Sequence, residues 1–418
     1  MDLTTPAPPP ARQSGPPAVP ARQESLRTLN LAMVFGQIMA SRQPVSRTEL
    51  VASTGLARPT ISRIIEELIT ARLVAESGLA YGGGAGRPRV GLVVSRRGPA
   101  GLGLDIRADG LAACVVDLTG AVRHLAHLPT GTAGRSAERV LAEVGRMARS
   151  AISAAAAEGL TVVGATLAVP GRVEGGSLVR AAPALGWHDV DAGAILRHAT
   201  RTFNLPVSVD NEANVAALGE LHSGDHDRRS FAYVSGGLAI GIGLVLDGQL
   251  LRGARGWSGE LGHVTVYPDG RQCPCGATGC LYAYAGVPAI LAGEDGGRTD
   301  LARDASIAAL AESGNAAVLA GLDTAGTALG IALSAMLNLL DVETVLLGGS
   351  YSLLFSWLHE RVRTEISRRV LTTAWAPVDV RPALLGPDAA AVGAALASTE
   401  PVRLDPAAWL TQAAAAAF

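Results

Sequence analysis

Gly259-Glu-Leu-Gly-His263 is followed, after nine intervening residues, by Cys273-Pro-Cys275-Gly-Ala-Thr-Gly-Cys280. One imidazole and three thiols in so short a span form a donor set that zinc favours in a closed tetrahedral site. Gly276 and Gly279 let the loop turn tightly enough to wrap an ion. The alternative is a set of reduced, packed thiols. Cys114 stands apart in an apolar stretch and reads as core. A secreted disulfide protein would spread its cysteines, so this clustering points to a cytoplasmic setting.

Upstream, Val209-Asp-Asn-Glu-Ala-Asn214 falls where a strand passes into a helix. Polar side chains at the carboxyl end of an α/β strand are where ligands usually bind. Helix capping by Asp210 or Asn211 would use the same residue types. Glu260 would be held beside the metal by His263, where a carboxylate can accept hydrogen bonds from sugar hydroxyls; otherwise it is a surface residue on a helical turn. Two glycine-rich segments carry no such chemistry. Ser235 to Gly243 lacks the Lys-Ser/Thr of a P-loop and does not match the dinucleotide fingerprint. Gly256-Trp-Ser258-Gly is one residue short of a nucleophile elbow.

The flanking segments read as α/β: strands at 101–106, 111–118, 121–127, 161–169 and 207–209, then 231–234, 242–246 and 344–347, with helices at 136–157, 212–221 and about 315–340. This pattern suggests two lobes, dividing near 212–230, with no internal repeat visible by eye. The helical stretch at 315–340 is the most apolar, but Asp323, Thr324, Thr327 and Asn338 interrupt it, which argues against a membrane span.

The amino-terminal part differs. Of the 418 residues, 48% are hydrophobic and 17% charged, with a net charge of −2. Residues 1–97, however, hold twelve Arg against six Asp and Glu. A basic head on an acidic body suggests that the head meets nucleic acid. All 35 basic residues are Arg, which carries no functional reading by itself. Residues 1–22 are Pro- and Ala-rich without an apolar signal region and read as a disordered tail. Residues 24–78 predict three helices. Ser46-Arg-Thr-Glu49 is a capping box, Thr54-Gly55 a stop, and Arg58-Pro59 the start of a third helix buried through Ile61, Ile64, Ile65, Leu68 and Ile69. Two short helices about a Gly turn, the second opening polar and basic, match a helix-turn-helix; a plain three-helix bundle is the alternative. Arg58, Thr60, Ser62 and Arg63 are the candidate major-groove contacts. Gly86-Arg87-Pro-Arg89 is suited to the narrow minor groove of A·T-rich DNA.

Taken together, the glycine-histidine and cysteine motif, Asn211-Glu-Ala-Asn214 and the late Leu385-Gly-Pro-Asp-Ala-Ala-Ala-Val-Gly-Ala-Ala395 resemble the ROK family of bacterial sugar kinases and sugar-responsive repressors over about residues 24–398. The resemblance implies an actin-like (ribonuclease H-like ATPase) fold, a sugar cleft between two lobes and a final helix returning to the first lobe. It carries structural zinc onto His263, Cys273, Cys275 and Cys280. The head resembles the winged helix-turn-helix of the family's regulators, which the kinases lack.

Several positions depart from the kinase pattern. The phosphate turn expected at the end of the first strand is replaced by Asp105-Ile-Arg-Ala-Asp109. Glu212 stands where kinases place an Asp base. Ala184 replaces an Asn before Leu185-Gly186-Trp187, and Tyr282 replaces a sugar-binding Glu. The expected organisation is a tail (1–22), a winged helix-turn-helix with its Gly-Arg-Pro linker (23–95), a ROK effector domain (96–400) and a C-terminal helix (401–418). The expected function is a DNA-binding regulator, a repressor without kinase activity, reading a palindromic operator as a homodimer or homotetramer. A sugar or sugar derivative at Asn211, Glu212, Glu260, His263 and Tyr282 would control it. The rival readings are an ATP-dependent sugar kinase with an added domain, and a regulator that has lost its ligand and works through a protein partner.

Overall fold

The computed structural model describes residues 23–80, 89–107, 109–132, 134–223, 229–291 and 304–416. The head is built from α1 (Gln23–Ala40), α2 (Arg47–Thr54) and α3 (Arg58–Thr70), then an antiparallel pair, β1 (Val74–Ala80) and β2 (Arg89–Val94). The capping box forms: Ser46 Oγ accepts from the Glu49 amide at 3.3 Å, and Glu49 Oε2 accepts from the Ser46 amide at 2.7 Å. Gly55 ends α2 at φ 71°, a left-handed conformation that glycine adopts without steric cost. Ile61, Ile64, Ile65 and Leu68 pack with Leu31, Val34, Phe35 and Ile38 of α1. Leu26 and Leu29 remain 50% and 62% exposed, so the apolar pattern of α1 runs beyond its buried face. The Gly-Arg-Pro segment, Arg87 included, lies outside the described residues, as does the tail.

The first lobe opens with an antiparallel meander of β3 (Gly98–Ile106), β4 (Gly110–Asp117) and β5 (Val122–Pro129). Then come α4 (Ala137–Ala157) and β6 (Leu160–Val169), which is parallel to β3. A separate antiparallel sheet follows, of β7 (Arg172–Glu174), β8 (Leu178–Ala182) and β9 (Trp187–Asp191). After it come α5 (Ala192–Ala199), β10 (Val207–Asn211) and α6 (Glu212–Ser223), giving the main sheet the order β10-β6-β3-β4-β5.

The second lobe has β11 (Phe231–Gly236), β12 (Ile240–Leu246) and β13 (Gln249–Leu250), then the cysteine loop. Helices α7 (Tyr282–Ala285), α8 (Val287–Ile290), α9 (Asp304–Glu312) and α10 (Ala316–Leu340) lead to β14 (Thr344–Gly349), α11 (Ser350–Leu353), α12 (Phe355–Arg369) and β15 (Asp379–Pro382). Its sheet order, β13-β12-β11-β14-β15, repeats that of the first lobe, with three antiparallel strands and then two parallel ones. The repeat is one of topology. Buried strands accept any apolar side chain of suitable size, so the residues themselves have not kept it. Helix α10 is long and apolar enough to cross a membrane, but here it packs in the second lobe's core through Leu322, Leu329 and Leu333.

The chain then returns to the first lobe as α13 (Ala389–Leu404). A Cβ at Gly101 or Gly103 would fall 1.9 Å from a carbonyl oxygen of α13; glycine in β3 is what lets helix and sheet approach so closely. The last helix does not begin at residue 401. Helix α13 continues through Pro401 to Leu404, and α14 (Pro406–Ala416) starts after Asp405. A proline in a helix forfeits its own amide bond without always ending the helix, whereas Asp405 Oδ1 accepts from the Ala407 and Ala408 amides and caps a new one. Helix α14 packs on the head: Trp409 Nε1 donates to Ala71 O at 2.9 Å, and Val402, Trp409 and Leu410 join the head's core.

Candidate metal centre and interlobe cleft

The four motif residues converge. Cys273 Sγ lies 3.8 Å from His263 Nδ1, Cys275 Sγ lies 3.8 Å from Cys280 Sγ, and all four donor atoms fall within 4.8 Å of one another. Two sulfurs each about 2.3 Å from a tetrahedral zinc lie roughly 3.8 Å apart, so the spacing fits that ion. Burial pushes the Cys280 thiol up to about 12; a cation among the thiols reverses that preference and ionises them. At Gly279, φ is 77° and a Cβ would fall 1.7 Å from Tyr267 O, so no other residue allows this loop. The His263 amide donates to Glu260 O at 3.0 Å, which places Glu260 one short turn from the metal ligands.

The proposed sugar residues lie around the junction of the lobes. Asn211 caps α6: its Oδ1 accepts from the Ala213 and Asn214 amides at 2.9 and 3.3 Å, while its Nδ2 donates to Gly171 O at 3.0 Å. Both ends of the amide are therefore committed to backbone. Tyr282 opens α7 and packs on the second lobe's core, with a Cβ at Gly286 falling 3.0 Å from its Cε2. Side-chain contacts between the lobes lie here as well. Arg252 Nη1 donates to Asp210 Oδ2 at 2.7 Å, Trp257 Nε1 donates to Val173 O at 3.1 Å, and Arg172 Nε stands 4.0 Å from Glu260 Oε1.

Glu212 opens α6. With Asp105, Tyr233, Ser235, Gly236 and Ser350 it lines a cavity of about 60 Å³. Its Oε2 is enclosed without a partner. Burial and the neighbouring Asp105 raise Glu212 to about 8, and burial raises Asp105 to about 7. Arg107 closes the rim, with Nη1 2.7 Å from Asp388 Oδ1 and Nε 3.2 Å from Asp109 Oδ1; His127 Nε2 meets Asp388 at 2.8 Å.

At the head, Arg58 and Arg63 are exposed and Thr60 and Ser62 half-buried on the first turns of α3. Arg63 is tethered only loosely, 4.0 Å from Glu67, which Arg27 already holds at 2.7 Å. Arg89 opens β2; its side chain lies outside the described residues.

The ROK family model matches residues 101–400. The chain belongs to the ROK family. Across the ROK regulators and kinases, similarity extends over different lengths. The xylose repressor of Bacillus spizizenii is 29% identical over 382 residues, 89% of this chain and 95% of that protein. A ROK family transcriptional regulator, homologue of the E. coli Mlc protein, superposes with a TM-score of 0.72 at 26% identity, covering 93% of this chain and 99% of that one. The ROK glucokinase of Streptomyces griseus, solved with glucose and AMPPNP, superposes with a TM-score of 0.59 at 27% identity, covering 71% of this chain and 98% of its own. The ROK fold is the mixed α/β, actin-like one.

Reading motifs did not reveal the ion pair of Arg107 with Asp388, the arm carrying Arg252 and Trp257, or Arg172. Their partners lie up to 281 positions away in sequence, and single arginines carry no spacing signal.

Proposed function

We propose that this protein is a sugar-responsive transcriptional repressor whose ROK domain is not an enzyme. The carrying observation is the head, α1–α3 with β1 and β2. The regulator matches over 93% of this chain, more than the body alone can supply, while the kinase matches over 71%. The head acts as a winged helix-turn-helix. Arg58, Thr60, Ser62 and Arg63 on α3 meet the major groove, and Arg87 and Arg89 meet the adjoining minor groove. Two heads in a homodimer or homotetramer read a palindromic operator in the cytoplasm. Zinc bound by His263, Cys273, Cys275 and Cys280 is structural, and a sugar or sugar derivative lies against Asn211, Glu260 and His263, beside Tyr282.

The kinase reading loses support at the cavity. Small-molecule sites usually enclose roughly 300–1000 Å³, against about 60 Å³ here. Arg107, paired with Asp388, lines it, and a Glu212 that is protonated at neutral pH is no general base. The discriminating experiment is selection of genomic fragments by the full-length protein, with ATP turnover measured in parallel on a sugar panel. A recovered palindrome released by a sugar, with no turnover, is the expected result. Sugar-dependent turnover at ordinary enzyme rates overturns it.

A further inference from the structure

Resting on the reading of this chain as an oligomer that seats two heads on one operator, we propose that the solvent face of α1 is an interface between heads, covered by the same face of α1 from a second copy. Leu26, Leu29 and Met33 are 50%, 62% and 38% exposed, and Gly36 and Ala40 beyond them are exposed too. These five stand at steps of three, four, three and four residues, the spacing of a row along which one helix packs on another. The row lies across the helix from Leu31, Val34, Phe35 and Ile38, which fill the head's core. On a surface helix that outer side normally carries charged and polar groups.

Charge and area indicate what covers it. Arg27 is the one charged residue from Leu26 to Ala40, and it reaches away to Glu67 at 2.7 Å. In a two-fold pair the same patch meets itself, so any charge on the row would face its own like. A row free of charge, flanked by the neutral Asn30, Ala32, Gln37 and Met39, is self-complementary. At Gly36 a Cβ would meet nothing within 4 Å, so the backbone there is open to close approach. Residues 1–22, which precede α1, hold seven prolines and no row of large apolar side chains to match it. At 1.5 Å per residue the row is about 21 Å long, and with a width of roughly 10 Å two copies bury about 400 Å² between them. A stable interface buries about 1,200 Å² or more. The seam therefore does not make the dimer. It joins heads that the rest of the chain or the operator has already brought together, and α3, packed on the other side of α1, stays free to read bases.

Two readouts on full-length, zinc-loaded protein test this. In the first, Met33→Cys is oxidised with diamide, free and on the selected operator. Ala52→Cys, at an exposed position of α2, and the unaltered chain are the controls. Met33 is the middle of the row, so it meets its counterpart whichever way the two helices run. The expected result is a disulfide-linked dimer for Met33→Cys well above both controls. In the second, Leu29→Glu sets like charges against each other at the seam. Its affinity should fall about ten-fold on the palindrome and not on a single half-site, with an unchanged melting temperature, since Leu29 lies mostly outside the core. Cross-linking of Met33→Cys no greater than that of Ala52→Cys, with and without operator, overturns the proposal. So does an unchanged affinity of Leu29→Glu for the palindrome, or an equal loss on the half-site. A cross-link that appears only when residues 2–22 are deleted makes the tail the occupant and also overturns it. If the unaltered chain binds no operator, the regulator reading fails by itself, and the cross-link on free protein still decides the seam.

Discussion

Single residues decide most of the chemistry. Cys275→Ala removes one of four ligands and strands two buried thiols. The variant should purify with well under one zinc per chain by elemental analysis and lose stability on the order of a few kcal/mol. Glu212 gives a second expectation. Its folded pKa, about 8, lies above the ordinary 4.5, so the protein binds an extra proton when folded. That contribution is fully present below the ordinary carboxylate range and is lost as pH rises through 8. Glu212→Gln should therefore match the wild type near pH 4 and melt at an increasingly higher temperature as pH rises to about 8. A pH-independent difference would mean that Glu212 is ionised in its cavity. The four-donor cluster was legible because its residues stand close in sequence. The direction of Glu212 was not: one extra methylene sets its carboxyl among Asp105 and Ser235, and only the packed sheet ends reveal that.

Among the elements, α3 carries the clearest expectation. Its first turn holds no acidic residue, and Arg63 is exposed and loosely tethered. Arg63→Ala should cost about 1–3 kcal/mol against the preferred base at one operator position and little elsewhere, read by competition with single-base operator variants. Equal loss on every sequence would reassign Arg63 to a phosphate contact. The helices and the Ser46–Glu49 cap were legible because apolar spacing and cap chemistry are local. The sheet of β7–β9 was not noticed, since its strands are three to five residues long and half-exposed, too short for alternation to declare itself. The break between α13 and α14 was misplaced because Pro401 looks like a stop and Asp405 does not. The doubled sheet topology was invisible in the residues for the reason that buried strands are permissive.

At the scale of the whole molecule, head and body are one packed unit rather than two joined by a tether. Leu118 of the first lobe and Val402 of α13 sit in the head's own core. Trp409→Ala should destabilise by about 1–3 kcal/mol, given that the ring is only partly buried. Hydrogen exchange should quicken in α1–α3 more than in the second lobe. Uniform quickening would mean that α14 supports the body instead. Such a core also ties α3 to the body through α13 and α14.

The seating of α14 has a bearing on how the protein is born. The three head helices are made well before Trp409, so the head lacks a wall of its core until α14 follows. Domains ordinarily fold in order of synthesis; here the head waits for a segment made after both lobes. A chain broken off before α14 would therefore present a poorly packed head.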